Sequence, residues 1–489
     1  MDTWLTTDDG SESAPHERET RLERDSLGEL PVPQWALYGI QTERARQNFP
    51  ISHLRPLPVF VDAMVWIKRA AALTHAETGR LDRGVASAIV DASDEVLSGM
   101  HHRHFVVDPY QAGAGTSHNM NVNEVLANRA NELLGAERGT YAPVHPNDHV
   151  NMAQSTNDTI PTAIRLGALA KLPELDRAMS LLAGAFEDRA RAFDPIVKSG
   201  RTHLQDATPI RLGQEFAAYG HTVARNQDRL MEGAGWLRAL NIGGSAVGTG
   251  LNVEPPYPTM MVARLREHTG LDVREGDDRI QLMQSMGDFA AFSGLLRSYA
   301  VDLGKIANDL RLMASGPRTG LAEIALPAVQ PGSSIMPGKV NPVVAEMVNM
   351  VCFQAIGNDV AIAAAAEAGQ LELNVMMPVI AHNLLFTMTI LASATRVFAE
   401  RCVVGITADA EMAAYWLERS PAIVTALAPQ IGYAAAASLA KEAVERGLTI
   451  RALVREKGLL DDEEMDRVLD LGAMTMLGVL AKATPLSDT

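Results

Sequence analysis

Five stretches of this sequence run for about 25 residues or more with almost no helix breaker inside: roughly 161–194, 211–239, 278–314, 342–369 and 378–403. At a rise of ~1.5 Å per residue, each predicts a helix of about 40 Å or longer. Their apolar residues are not confined to one stripe; in FQAIGNDVAIAAAAEAG (353–369), Ala and Ile occupy nearly every face. A helix that is apolar all round must be buried all round. One five-helix bundle leaves its outer faces in water, so the pattern predicts bundles packed on bundles in a closed oligomer. The composition agrees with a mainly α fold: aromatics are only 5% while Ala and Met are abundant, and both are good helix formers.

A chain of 489 residues exceeds one ordinary core. We divide it into a disordered acidic tail (1–20), an N-terminal domain of short helices and loops (21–154), the central long-helix domain (155–408) and a small helical C-terminal domain (409–489). The last contains the run Asp461-Asp462-Glu463-Glu464, which suits a helix N-terminus where negative charge meets the dipole. The tail has no apolar segment of signal-peptide type, and no apolar run is expected to reach the ~18 residues of a membrane span; both point to a cytoplasmic protein. A net charge of −16 argues against a nucleic-acid or anionic-membrane partner, while leaving room for a small dianion in a locally cationic pocket. Cys352 and Cys402 lie in apolar helical stretches and read as buried thiols, too few for a disulfide framework or a metal site.

Chemical information concentrates in four short polar stretches at the ends of those long segments, where rigid scaffolds display function. In GSSIMPGKVNP (332–342), Gly332 and Pro337-Gly338 shape a mobile loop that carries Ser333 and Ser334, with Lys339 and Asn341 just before a helix opening at Pro342. Backbone amides, a helix start, a lysine and an asparagine make an anion cradle; a plain Gly/Ser linker would not need Lys and Asn at fixed offsets. In HPNDHVNMAQSTNDTIPTA (145–163), Ser155, Thr156 and Asn157 precede a helix read as starting at Pro161. One of them suffices as an N-cap, and three favour carboxylate binding. In GRTHLQDATPI (200–210), Thr202 and His203 lie in a break between two helices, where a lone histidine is as readily structural as functional. In AGAGTSHNMNVNEVLANRA (112–130), Thr116, Ser117, His118, Asn119 and Asn121 form a polar strip; its GAG triplet lacks the third glycine and preceding strand of a dinucleotide loop. No HExxH, Cys/His ligand spacing or phosphate-binding GxxxxGK[ST] occurs, and the HHRH cluster at 101–104 reads as a hydrated loop. We therefore expect no metal and no cofactor.

GSSIMPGKVNP resembles the signature loop of the aspartase/fumarase superfamily, and the other three stretches resemble its remaining blocks in the same order, from about residue 21 to residue 475. The resemblance implies a three-domain, mainly α fold whose central five-helix domains assemble into a twenty-helix core in a homotetramer, with active sites shared between three subunits. Within the superfamily, Asn341-Pro342-Val343-Val344, EAGQLELNV (367–375) and AGAGTSxNMN resemble aspartate ammonia-lyases. GGSAVGTGLN (243–252), Pro337-Gly338-Lys339 and IGYAAAASLAKEA (431–443) lean toward class II fumarases. His118 departs from the Val or Thr expected there; it either points away from the site or adjusts its amine side.

The resemblance makes Ser333 the general base that takes a proton from C3 of a small dicarboxylate, with the adjacent carboxylate accepting the charge as an aci-carboxylate. It assigns Thr116, Ser155, Thr156, Thr202 and Ser334 to the donor cage, Lys339 and Asn341 to the other carboxylate, and Asn157 with Thr116 to the leaving ammonium. His203 contacts a carboxylate; in a fumarase reading it becomes the acid, oriented by Glu346. The expected activity is reversible elimination of ammonia from L-aspartate to fumarate, with fumarate hydration as the alternative. A non-catalytic structural relative would be expected to have lost the base or the cage, and neither is missing.

Overall fold

The computed structural model describes residues 19–480; of the tail expected over 1–20, residues 1–18 lie outside the described residues, and Thr20 opens a strand. The chain is mainly helical. Five long helices span Thr156–Phe193, Leu212–Gly233, Gly287–Met313, Val343–Glu367 and Met377–Arg401. The second continues as a 3-10 turn, Ala234–Arg238. The stretch at 278–314 is not one helix: Asp278 caps a short helix, Arg279–Gln284, and the chain is extended at Ser285 before Gly287. Among the described residues there are four two-stranded ladders. Three are antiparallel (Thr20–Asp25 with Gly28–Pro33, Val197–Thr202 with Gln205–Arg211, Ile324–Ala325 with Thr407–Ala408), and Ala239–Leu240 pairs in parallel with Arg274–Glu275.

The Thr156–Phe193 helix starts five residues before the expected Pro161 because Ser155 and Asp158 cap it reciprocally. The Ser155 hydroxyl accepts the Asn157 N–H at 3.2 Å, and the Asp158 carboxylate accepts the Ser155 N–H at 2.9 Å. Pro161 then sits inside the helix without breaking it. Its missing N–H leaves the Asn157 carbonyl free, and the Asn241 carboxamide donates to that carbonyl at 3.4 Å.

By compactness the residues fall into two units, and the division falls within each of the five long helices. One comprises 1–176, 228–300 and 353–392. There, Arg165 is fully buried: it pairs with Asp288 at 2.8 Å, donates to the Trp236 carbonyl and lies 4.9 Å from the Phe289 ring. Such a cation is tolerated because a carboxylate, a carbonyl and a ring face meet it, although its buried Nε has no hydrogen-bond partner. The other comprises 177–227, 301–352 and 393–489. Phe186, Phe216, Tyr219 and Phe398 meet edge to face in it, each large ring contributing about 1.5–3 kcal/mol by burial. A separate apolar cluster including Leu417, Leu427, Leu439, Leu453 and Val468 holds its C-terminal helices together. Asp461 caps the Asp462–Val468 helix.

Cys352 and Cys402 are buried free thiols, pushed up to about 12 by burial. Two helices, Val343–Glu367 and Met377–Gly405, are long and apolar enough to cross a membrane by length and composition alone, which corrects the expectation that no apolar run reaches that length. Asn358, Asp359, Thr387 and Thr395 lie buried within them, and Asn358 bonds Thr387 at 2.9 Å.

Candidate active site

The first unit carries Thr116, Ser155, Thr156 and Asn157. They stand at two helix starts, Thr116–Leu133 and Thr156–Phe193. The stretch read as a polar strip is helical from Thr116; only Thr116 of it is exposed, while Ser117, His118, Asn119 and Asn121 are buried. Gly115 lets the two starts approach: a Cβ there would lie 2.9 Å from the Ile160 side chain, and its φ of +91° disfavours any other residue. Asn119 joins them, donating to the Thr156 hydroxyl at 3.3 Å. Helix-start amides and hydroxyls meeting in this way favour an anion.

Behind this surface lie two buried ionic groups that the sequence reading did not single out. The Asp158 carboxylate accepts the N–H groups of Ser155, Gly243 and Ser245, docking the turn onto the 243–252 loop; burial pushes it up to about 6. The Lys68 ammonium donates to the amide oxygens of Asn119, Asn151 and Gln154 at 2.7, 2.9 and 3.0 Å. Burial pulls it down to about 7, with Asp158 opposing. A signal for Lys68 existed: it interrupts the apolar stripe Val61, Met64, Val65, Ala71, Ala72 of the helix Pro58–Glu77. His118 turns its ring onto Phe60, stacked at 4.5 Å. Burial takes it down to about 3, so it is neutral.

The second unit carries Thr202, His203, Ser333, Ser334, Lys339, Asn341 and Glu346. Thr202 and His203 do not lie in a plain break: they end a β-hairpin, with His203 and Leu204 at φ of 55° and 59° in a two-residue turn. Non-glycine residues at both positions store strain, which is common where a side chain must be displayed. The hairpin is anchored by Glu323, which is fully buried and pairs with Arg201 at 2.9 Å and Lys198 at 3.3 Å; Lys198 also reaches Glu215.

The 332–341 loop closes on itself. Asn341 donates to the Gly332 carbonyl at 2.6 Å, and a Cβ on Gly332 would collide with the Lys339 carbonyl oxygen. The Ser333 hydroxyl accepts two backbone N–H groups, from Ile335 at 3.2 Å and Met336 at 2.9 Å. Among the described residues the exposed Lys339 ammonium makes no ion pair. Neither the loop nor Glu346 forms a hydrogen bond with Thr202 or His203 among the described residues. The HHRH histidines are individually engaged, by Glu95, the Val96 carbonyl and the Leu37 N–H; among the described residues no three His, Cys, Asp or Glu side chains are grouped to hold a metal.

Long helices with hydroxyls and backbone amides at their starts define a mainly helical protein whose helix starts favour anions. Residues 28–357 match the family described as "Lyase", and residues 423–476 match that described as "Fumarase C C-terminus". The aspartate ammonia-lyase of Bacillus subtilis (strain 168) is 47% identical over 95% of this chain and 98% of its own. The class II fumarate hydratase of Halobacterium salinarum is 49% identical over 94% and 98%. Among solved structures, a Brucella melitensis fumarate lyase:delta crystallin superposes with a TM-score of 0.90 at 47% identity, covering 94% of this chain and all of that one. The Schistosoma mansoni class II fumarase gives 0.91 at 36% identity, covering 94% and 99%. The chain belongs to this lyase family, the aspartase/fumarase superfamily.

Proposed function

We propose that the chain is an aspartate ammonia-lyase, releasing ammonia from L-aspartate to give fumarate, with Ser333 as the general base. The observation that carries the chemistry is the pair of backbone N–H groups aimed at the Ser333 oxygen. Neutral serine is a feeble base; two fixed N–H donors lower the cost of its alkoxide, as an oxyanion hole does. The alkoxide takes the C3 proton, and the electron pair moves into the adjacent carboxylate as an aci-carboxylate. That pair then returns to form the C2–C3 double bond as the C–N bond breaks and ammonia leaves.

Thr116, Ser155, Thr156, Thr202 and Ser334 supply the donors that stabilise the aci-carboxylate, and Lys339 with Asn341 holds the second carboxylate. His203 contacts a carboxylate. Asn157 suits the amine side: its NH2 is held by the Ala246 carbonyl at 2.7 Å, which leaves its oxygen to accept from an ammonium. Ammonium is a good leaving group and requires no strong acid.

These residues are complete only in an assembly, and we propose a homotetramer with sites shared between three subunits, His203 of one chain being oriented by Glu346 of another. An exposed stripe supports it: Met350, Phe353 and Val360 on the Val343–Glu367 helix are 66%, 66% and 63% exposed. The three sequence regions 21–154, 155–408 and 409–489 would be its domains. The cytoplasm is the proposed compartment, in keeping with two unpaired thiols.

The leaving group is assigned on the relatives, of which the aspartate ammonia-lyases of Bacillus subtilis, Helicobacter pylori and Pseudomonas fluorescens are 45–49% identical over at least 92% of the chain. The Halobacterium fumarate hydratase, at 49%, favours water as the second reading. Fumarate absorbance should rise when the enzyme is given L-aspartate and stay flat with L-malate; the reverse pattern makes it a fumarate hydratase.

A further inference from the structure

A lysine with no exposed surface that meets no carboxylate at salt-bridge distance among the described residues is costly to keep. Lys68 is such a residue. Its three N–H donors are all spent on neutral carboxamide oxygens, those of Asn119, Asn151 and Gln154. An ammonium has no acceptor capacity, so it fixes which end of each amide faces it. With its oxygen turned to Lys68, Asn119 must present its NH2 to the Thr156 hydroxyl at 3.3 Å and to Asn151 at 3.2 Å. The Thr156 oxygen is thereby an acceptor toward the protein, and its own proton is left to donate outward. Ser155 is set the same way, because its oxygen already accepts the Asn157 N–H.

We propose that Lys68 is a positioning residue for the lyase reaction: through Asn119 it holds the Thr156 hydroxyl as a donor toward the substrate carboxylate, and its buried charge lies behind the anion that forms there. The inference rests on the lyase reading of this surface. A structural lysine would have been served by any partner; this one is tied to both strands of the network that ends at Thr156. Two titratable groups face it. Asp158, from the Thr156–Phe193 helix, opposes the loss of its proton, and neutral His118, from the Thr116–Leu133 helix, adds no countercharge. With the ammonium drawn down to about 7, the network loses one of its three central N–H donors and the charge as the pH rises through neutrality.

The test uses the full chain and L-aspartate, measuring kcat and KM for wild type, Lys68→Arg, Lys68→Met, Thr156→Val and the Lys68→Met/Thr156→Val double variant between about pH 6 and 10. Melting and assembly mass serve as controls. Lys68→Met should lower kcat by about 10²-fold, more than it raises KM, as loss of a preorganised donor does. The double variant should be scarcely worse than either single one, because both break the same link. Lys68→Arg keeps its charge at every accessible pH, so its alkaline loss of kcat should move to higher pH. Additive losses, or an unmoved alkaline limb in Lys68→Arg, overturn the proposal. If both Lys68 variants fail to fold, Lys68 serves the fold and the proposal falls. A wild-type enzyme inactive on both aspartate and malate refutes the parent reading instead.

Discussion

The carboxamide of Asn341 donates to the carbonyl of Gly332 at 2.6 Å, so the intervening chain that carries Ser333, Ser334 and Lys339 is tied at the neck. Within the closed loop the Ser333 oxygen faces the N–H groups of Ile335 and Met336. On the proposed mechanism, the neck shapes the base as much as the serine does. It also needs glycine, since a Cβ at Gly332 would meet the Lys339 carbonyl oxygen and lie 2.7 Å from the Asn341 nitrogen.

Gly332→Ala should therefore lower kcat by about tenfold or more, because small misplacements of a catalytic group are expensive. Stability should change little, since the loop is largely exposed. Steady-state kinetics beside a thermal melt would check this; unchanged kcat would mean that the neck does not shape the base.

Phe353 tests the assembly. Phe353→Asp puts a charge in the middle of the exposed stripe between Met350 and Val360. Light scattering should show wild type at about four times the 52.6 kDa chain and the variant at smaller mass, with activity lost alongside. A wild-type monomer, or a variant that stays at four chain masses, contradicts the burial argument.

His118 makes a prediction about pH. Its folded-state pKa is held to about 3, below the ordinary 6.5, so the unfolded chain takes up the extra proton. The stability this group contributes is present above about 6.5 and is lost as the pH falls toward 3, by up to about 1.4 kcal/mol per unit. Asp158, raised to about 6, works oppositely: its contribution is lost as the pH rises from about 4 through 6. Replacing the stacked imidazole by a ring of similar shape, His118→Phe, should flatten the acid side of the melting profile. An acid profile identical to wild type would show that His118 is not the group responsible.

The long helices were legible because Ala, Leu and Met in breaker-free runs carry their own signal over many turns. The 197–211 hairpin was not: its strands are short and polar, and its turn is His203-Leu204 where a hairpin signal would be Asn-Gly. The helix start at Thr156 was visible as the spacing of Ser155 and Asp158, but Pro161 competed for it. An internal proline is tolerated there because Asn241, distant in sequence, takes the freed carbonyl. Of the proposed site, the hydroxyls, Lys339 and Asn341 stand in the sequence motifs. Asp158 carried no such signal, and Lys68 left only the trace of a charge in an apolar stripe, because burial gives both their meaning and only tertiary packing decides burial.

Ser333→Ala measures the central claim most directly. The substitution removes one oxygen from a loop, so melting temperature and assembly mass should stay close to wild type. Loss of the proton acceptor should lower kcat with L-aspartate by ~10²–10⁴-fold while KM moves far less. In the same assay Lys339→Ala should raise KM as well as lower kcat, since a carboxylate loses its cation. If Ser333→Ala keeps more than about a tenth of wild-type kcat, well short of the loss a general base implies, Ser333 is not the base and His203 takes its place.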